Sequence, residues 1–210
     1  MPALHLADLD RGRAVAIPLA TEDEAILAAA HAGATEQAAA LLFDRYAEHV
    51  TRVLVRILGT MDEVEDLRQE ALLRTLDRMH KVRSADALRG YVTGVTTFVA
   101  RECLRRRRRR RWLRIVPPED MPELTTDGDE SCAEATRAVY DILDRLGEDD
   151  RTAFCLRIID GMELTEVAAA CGVSLATAKR RVVHAQERFF VHAAGHPALA
   201  AWSRSEAAHE

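Results

Sequence analysis

Long apolar runs are missing from this chain of 210 residues. No stretch approaches the roughly twenty consecutive apolar residues that a helical membrane span needs. Aromatic residues make up only 5%, and β-branched runs bounded by turns are scarce, so the usual signature of a sheet is absent. The four cysteines, Cys103, Cys132, Cys155 and Cys171, include no C-x-x-C pair. That spacing suggests neither a zinc knuckle nor a disulfide framework, and the expectation is buried thiols in a reducing compartment. The eight histidines are scattered away from any ligand-like spacing, so no metal site is expected. There is no glycine-rich phosphate loop, no nucleophile beside a base and no paired carboxylates in a recognisable pocket, which argues against an enzyme and against a cofactor. The opening letters MPALHLADLDRGR place acids among the leucines and lack a signal-peptide pattern; a soluble, cytoplasmic protein is the expectation.

What is present favours helices. Alanine and leucine dominate, with 48% hydrophobic and 30% charged residues, enough apolar material for cores and enough charge for solvated faces. The formal net charge of −5 hides a strong segregation. Residues 101–118 hold nine arginines against one glutamate, whereas residues 119–166 hold fifteen acids against four arginines. A polyanion responds to the local field more than to the sum, so the first block remains a candidate for contact with nucleic acid.

Taken in order, residues 1–20 show no sustained period and read as a loose arm. Thr21-Glu22-Asp23-Glu24 fits a capping box and opens a short helix that stops at Gly33. A second helix is expected over 35–58, with Leu41, Leu42, Tyr46, Val50, Val53, Leu54 and Ile57 on one face and Gly59 ending it. A third is expected over 62–79, turning Val64, Leu67, Ala71, Leu72 and Leu76 inward. The polar segment HKVRSADALRG reads as a loop with Ser84 as a cap for a fourth helix, about 86–112. In that helix Val92, Val95, Phe98, Val99 and Leu104 are expected to face a core, while Gly90, Gly94 and Thr96-Thr97 weaken its propensity. It runs into seven consecutive arginines, Arg105 to Arg111. Such a run covers every side of a helix, so it reads either as a solvated end or as a polyanion contact.

Pro117-Pro118 stop the helix, and EDMPELTTDGDES has the composition of a linker. Opposite charges this close in sequence lead to the expectation that the acidic stretch lies against the arginines and masks them. Further helices are expected over 133–146 and 149–160. LTEVAAACGVSLATAKRRVVHAQERFF then reads as a helix-turn-helix. Gly172 suits the left-handed residue after a helix, and Ser174 can cap the next one. The second helix offers Thr177, Lys179, Arg180, Arg181, His184 and Arg188, donors suited to phosphates and to base edges in a major groove. On these residues alone an ordinary helical hairpin with a solvated basic face stands beside the DNA-reading one. The tail after Phe190 has little pattern apart from Trp202. The expected organisation is all-α, with two small helical domains joined by an acidic linker, the second domain containing the helix-turn-helix. Its boundaries are an arm 1–20, a first domain 21–114, a linker 115–131, a second domain 132–192 and a tail 193–210.

Across roughly residues 24–190 the chain resembles the extracytoplasmic-function sigma factors of the sigma-70 family, small promoter-recognition subunits of bacterial RNA polymerase. The C-terminal likeness rests on LDRLGEDDRTAFCLRIIDGMELTEVAAACGVSLATAKRRVVHAQERF, and the N-terminal one on EVEDLRQEALLRTLDRM and GYVTGVTTFVARECLRRRRRRRW. The resemblance implies that Glu65, Asp66, Arg68, Gln69 and Glu70 dock on core polymerase, at the clamp helices of its β′ subunit, with the β flap as a second contact. It implies that the loop from His80 through Lys81 and Arg83 captures an unstacked base of the -10 element, because a flipped base must regain stacking and hydrogen bonds somewhere. Arg101, Arg105, Arg106, Arg107 and Arg108 would hold the nucleic-acid backbone there. The -35 element would be read by Ser174, Thr177, Lys179, Arg180, Arg181 and His184. Promoter DNA and core polymerase are thus the implied partners, and an anti-sigma factor is left open. Some letters depart from the family's pattern: Tyr91 replaces a frequent Trp, Phe98 and Glu102 stand where Asn and Asp are customary, and Arg180 replaces the usual Ser. Two other functions remain open on the sequence, a sigma-like regulator that does not support initiation and an adaptor binding nucleic acid without sequence preference.

Overall fold

The computed structural model describes residues 21–113 and 130–196, together with Leu199. The arm 1–20, most of the linker and the tail with Trp202 lie outside the described residues, as does the expected packing of the linker against the arginines. The described residues form helices and turns, without a strand.

Helix α1 (Glu22–His31) begins with the expected capping box: Thr21 Oγ1 accepts from Glu24 N at 3.3 Å, and the Glu24 carboxylate accepts from Thr21 N at 2.6 Å. Helix α2 (Thr35–Leu58) buries Ala38, Leu42, Tyr46, Val50, Val53, Leu54, Ile57 and Leu58, a stripe at helical spacing. It ends at Gly59, whose φ of +73° is the left-handed turn that glycine adopts without strain. Helix α3 (Val64–Arg78) starts two residues later than the letters suggest, because Glu63 takes a positive φ of 60°. A short 3-10 turn, Met79–Lys81, leads into α4 (Ala85–Leu113). Met79 and Val82 are buried, so this loop is pinned at two points and His80, Lys81 and Arg83 are left exposed.

Helix α4 corrects part of the expected core. Phe98 is 48% exposed rather than inward. The inward places are taken by Thr93, Thr96 and Thr97, and the Thr93 and Thr96 hydroxyls donate to the carbonyls of Arg89 and Val92 at 2.8 Å. Back-bonding to the preceding turn satisfies a hydroxyl inside a helix and makes a threonine an acceptable core residue. Phe98 turns outward under the Arg74 guanidinium, 5.4 Å from its ring centre.

The C-terminal helices are α5 (Glu130–Leu143), α6 (Glu148–Phe154), α7 (Leu164–Cys171) and α8 (Leu175–Ala193). The single helix expected at 149–160 is divided: after α6 the chain widens into a π turn, Cys155–Ile159, closed by Asp160 N donating to Cys155 O at 2.9 Å. Phe154 stacks on Phe189 with ring centres 4.9 Å apart and ties α6 to α8. Cys103, Cys155 and Cys171 are buried free thiols, as anticipated, and burial pushes Cys155 up to about 12.

The two groups of helices share an interface that the sequence did not reveal. Helix α4 crosses α7 at Gly94, where a Cβ would stand 3.9 Å from Ala170 O. The glycine that weakens α4 is thus the point where α7 approaches. Tyr140 of α5 covers Gly59 and donates to Arg56 O at 3.2 Å. Arg151 of α6, 2% exposed, donates to Ile57 O at 2.8 Å and Leu58 O at 2.9 Å and pairs with Asp144. It caps the last carbonyls of α2, which have no partner within their own helix.

Candidate nucleic-acid interface

Helix α8 owes its orientation to the turn before it. Gly172, with φ +66°, ends α7 in the left-handed conformation, and Ser174 Oγ accepts from Thr177 N at 3.2 Å to start α8. Ala178, Val182, Ala185, Phe189 and Ala193 then face the core. The opposite side is left to Lys179, Arg180, His184 and Arg188, all exposed, with Thr177 half-buried at its edge. Among the described residues Lys179, Arg180 and Arg188 make no ion pair, so their donors face solvent. Arg181 differs: its side chain is 19% exposed and donates to Asp149 at 2.6 Å. His184 Nδ1 donates to Asp150 at 2.7 Å.

The arginines of α4 are largely engaged inside the molecule. Arg107 donates to the Glu63 carboxylate at 3.1 and 3.2 Å, and Arg106 lies 3.5 Å from it. Burial raises the Glu63 carboxyl, but the Arg107 and Arg106 charges more than offset this and hold it below its ordinary value. Arg101 pairs with Asp149 and reaches Cys171 O at 3.4 Å. Arg108 lies 3.5 Å from Glu148, while Arg105, among the described residues, bonds the carbonyl of Arg101 at 3.4 Å. Arg109 and Arg110 are exposed. The residues grouped for the -10 element do not form one patch. His80, Lys81 and Arg83 precede α4, whereas Arg101–Arg108 lie about 25 Å or more along it at about 1.5 Å per residue.

On α3 the five docking candidates sort by exposure. Glu65, Asp66 and Gln69 are exposed; Arg68 and Glu70 are half-buried. Arg68 pairs with Glu65 and lies over the Phe43 ring at 5.4 Å, and Glu70 pairs with Arg74 at 2.6 Å. Two apolar groups beside this face escaped the sequence reading, Phe43 at 42% and Leu73 at 65% exposure. Leu73 lies one turn beyond Gln69, on the same stripe. Periodicity could have flagged it, since Ala71, Leu72 and Leu76 already fill the inward positions.

A titratable group also sits between α2 and α4. Thr93 spends its hydroxyl proton on Arg89 O, so His49 must donate through Nε2 to Thr93 Oγ1, at 2.8 Å. Burial, then the charges of Arg89, Arg52 and Arg56, push the His49 imidazole down to about 4.

Among the described residues, an all-helical architecture with a helix-turn-helix and segregated cationic helices fits a nucleic-acid-binding protein, and comparison makes the class specific. Residues 42–113 match the family model Sigma-70 region 2, and residues 136–188 match Sigma-70, region 4. The ECF RNA polymerase sigma factor SigE of Mycolicibacterium smegmatis is 27% identical over 165 residues, covering 77% of this chain and 64% of that relative, just under two thirds of its length. The RNA polymerase sigma-E factor of Streptomyces avermitilis is 32% identical over 134 residues, covering 63% of this chain and 72% of the relative. Among solved structures, the sigma factor RpoE of Bartonella quintana, in complex with the anti-sigma factor NepR, has a similar fold. Its TM-score is 0.52 at 19% identity, over 71% of this chain and 92% of that one. The chain belongs to the sigma-70 family, among its extracytoplasmic-function RNA polymerase sigma factors.

Proposed function

We propose that this sigma factor docks on core RNA polymerase through the outward stripe of α3, Asp66, Gln69 and Leu73 with Glu65 and Phe43 beside it. Its loop at His80, Lys81 and Arg83 takes the opened -10 strand, and α8 reads the -35 element. The observation that carries this assignment is the outward face of α8, where Lys179 and Arg180 follow an intact cap and have no ion-pair partner among the described residues. A helix presented this way fits a major groove, with its first turns nearest the bases. The α4 arginines supply backbone contacts wherever they are released from their carboxylates. Bond making belongs to the polymerase, and this chain contributes binding rather than catalysis. No described helix is long and apolar enough to cross a membrane, which agrees with a place beside the polymerase in the cytoplasm. An anti-sigma factor is part of the reading because the similar Bartonella quintana chain was solved with one.

The test is a reconstituted run-off assay with purified chain, bacterial core polymerase and a library of genomic fragments. Transcript starts that share two spaced upstream motifs and require this chain support the reading. DNA binding without initiation would make the chain a regulator instead. Charge reversal at Asp66 combined with Gln69→Ala should abolish co-purification with core polymerase, and survival of that complex would exclude the α3 face.

A further inference from the structure

A cleft of about 950 Å3 opens between α3, α4 and the start of α6. That volume falls within the roughly 300–1,000 Å3 of ordinary small-molecule sites. Its α4 wall changes character along its length: Val99, a buried apolar residue, and Glu102 stand at one end, and Arg105, Arg106, Arg108 and Arg109 follow. From Val99 to Arg109 this wall spans about 15 Å, at about 1.5 Å per residue. Glu70 and Arg74 of α3 and Glu148 of α6 complete the lining. Five guanidinium groups thus meet three carboxylates, which leaves the cleft an excess of positive charge.

The guanidinium groups are not equally spent. Arg74 is held by Glu70 and Glu102 at 2.6 and 2.7 Å. Arg106 and Arg108 face their carboxylates, Glu63 and Glu148, across a longer 3.5 Å. Arg105 and Arg109 have no carboxylate partner among the described residues, and both are exposed. They stand one turn apart, about 6 Å along the helix. A guanidinium fork matches the oxygens of a phosphate, so two forks one turn apart suit a chain of phosphates better than a single one. The opposite end suits something else. Val99 offers an apolar surface, and Arg74 bonds Oε2 of Glu102, which leaves Oε1 to accept from an amino or hydroxyl group. A further phosphate at that end would be repelled by the carboxylate.

We propose that this cleft binds a nucleotide carrying two or more phosphates, with the phosphate chain on Arg105 and Arg109 and the base and sugar toward Val99 and Glu102. Arg106 and Arg108, loosely held by their carboxylates, add charge beside the phosphates. The order of groups along α4, apolar, then acceptor, then cationic, follows the order of groups along such a ligand. The inference goes beyond promoter contact, since binding to the cleft is measured on the free chain without DNA or polymerase.

The test is calorimetric titration of the full chain with ATP and GTP, compared with AMP, inorganic tripolyphosphate and a short single-stranded DNA. One triphosphate nucleotide should bind per chain, at least about tenfold more tightly than AMP or tripolyphosphate. Arg105→Lys with Arg109→Lys keeps the charge and removes the forks, and should weaken nucleotide binding about tenfold. Arg52→Lys with Arg89→Lys, a matching change at exposed arginines outside this cleft, should leave it unaltered. An equal loss in that control shows binding to the general field and overturns the site, as does the absence of nucleotide binding at about 1 mM. Tripolyphosphate bound as tightly as ATP and GTP rejects the base end of the cleft, and AMP bound as tightly rejects the phosphate end; either overturns the proposal. Single-stranded DNA that binds and responds to the lysine pair, where nucleotides do not bind, gives the cleft to the promoter strand instead. Run-off transcription reports on the sigma reading separately: transcripts from a chain that binds no nucleotide reject the cleft alone, and nucleotide binding by a chain that does not initiate keeps the cleft and rejects the sigma reading.

Discussion

Helices α4 and α8 carry their positive charge in opposite ways. In α4 the arginines come as an unbroken run, and Arg101, Arg106, Arg107 and Arg108 are answered by Asp149, Glu63 and Glu148. In α8 the cations are fewer and alternate with Ala178 and Val182, and Lys179 and Arg180 are unanswered among the described residues. The helix with less charge therefore offers more of it. A count of arginines measures a local field, whereas availability depends on which carboxylates the fold brings alongside.

The largest effect that would sharpen this contrast concerns the interface that brings those carboxylates in. Arg151→Ala removes the ion pair to Asp144 and the guanidinium that caps the carbonyls of Ile57 and Leu58. Removing one member of a buried ion pair costs about 3–5 kcal/mol, so thermal unfolding should show a large fall in Tm; a shift of only a degree or two would mean that the α2 and α6 ends are held by something else. Next in size, Lys179→Ala with Arg180→Ala should weaken binding to a -35 duplex by roughly 1–3 kcal/mol per lost base contact. Footprints unchanged by that pair would remove α8 from base reading and erase the contrast. A smaller change is expected from Glu63→Gln, which releases Arg106 and Arg107. It should steepen the salt dependence of DNA binding by about one to two counterions, read as the slope of log affinity against log salt, and an unaltered slope would show that those arginines already contact DNA.

The smallest expected effect is a pH dependence at the α2–α4 seam. His49 is held neutral in the folded chain, so between about pH 6.5 and 4 the unfolded chain binds a proton that the folded chain refuses. The stability from this residue is complete above that window and is lost as pH falls through it. His49→Gln, which keeps a donor for Thr93, should flatten this part of the Tm profile, and an identical profile would mean that His49 is solvated.

Much of the fold was legible because periodicity and punctuation act locally. The capping box at Thr21, the left-handed glycines Gly59 and Gly172 and the cap at Ser174 each came from letters within one turn. So did the α2 stripe from Leu42 to Ile57. The misjudged residues were those whose environment is supplied from elsewhere. Phe98 looks inward by spacing, yet the buried places go to Thr97 and to Thr93 and Thr96, whose hydroxyls bond the preceding turn. Glu63 adopts a positive φ, and its carboxylate meets Arg106 and Arg107 from α4. The outward residues of α8 could be read because a helix face follows from its own sequence, whereas the state of Arg181 could not.

The sequence by itself determined the helices, their caps, the helix-turn-helix and the two blocks of opposite charge, since each depends on residues three or four positions apart. Tertiary structure alone decided that Gly94 admits α7, that Arg151 closes the end of α2, and that Asp149 joins Arg101 to Arg181. Those contacts link residues dozens of positions apart, and their pairing follows from how the helix surfaces pack.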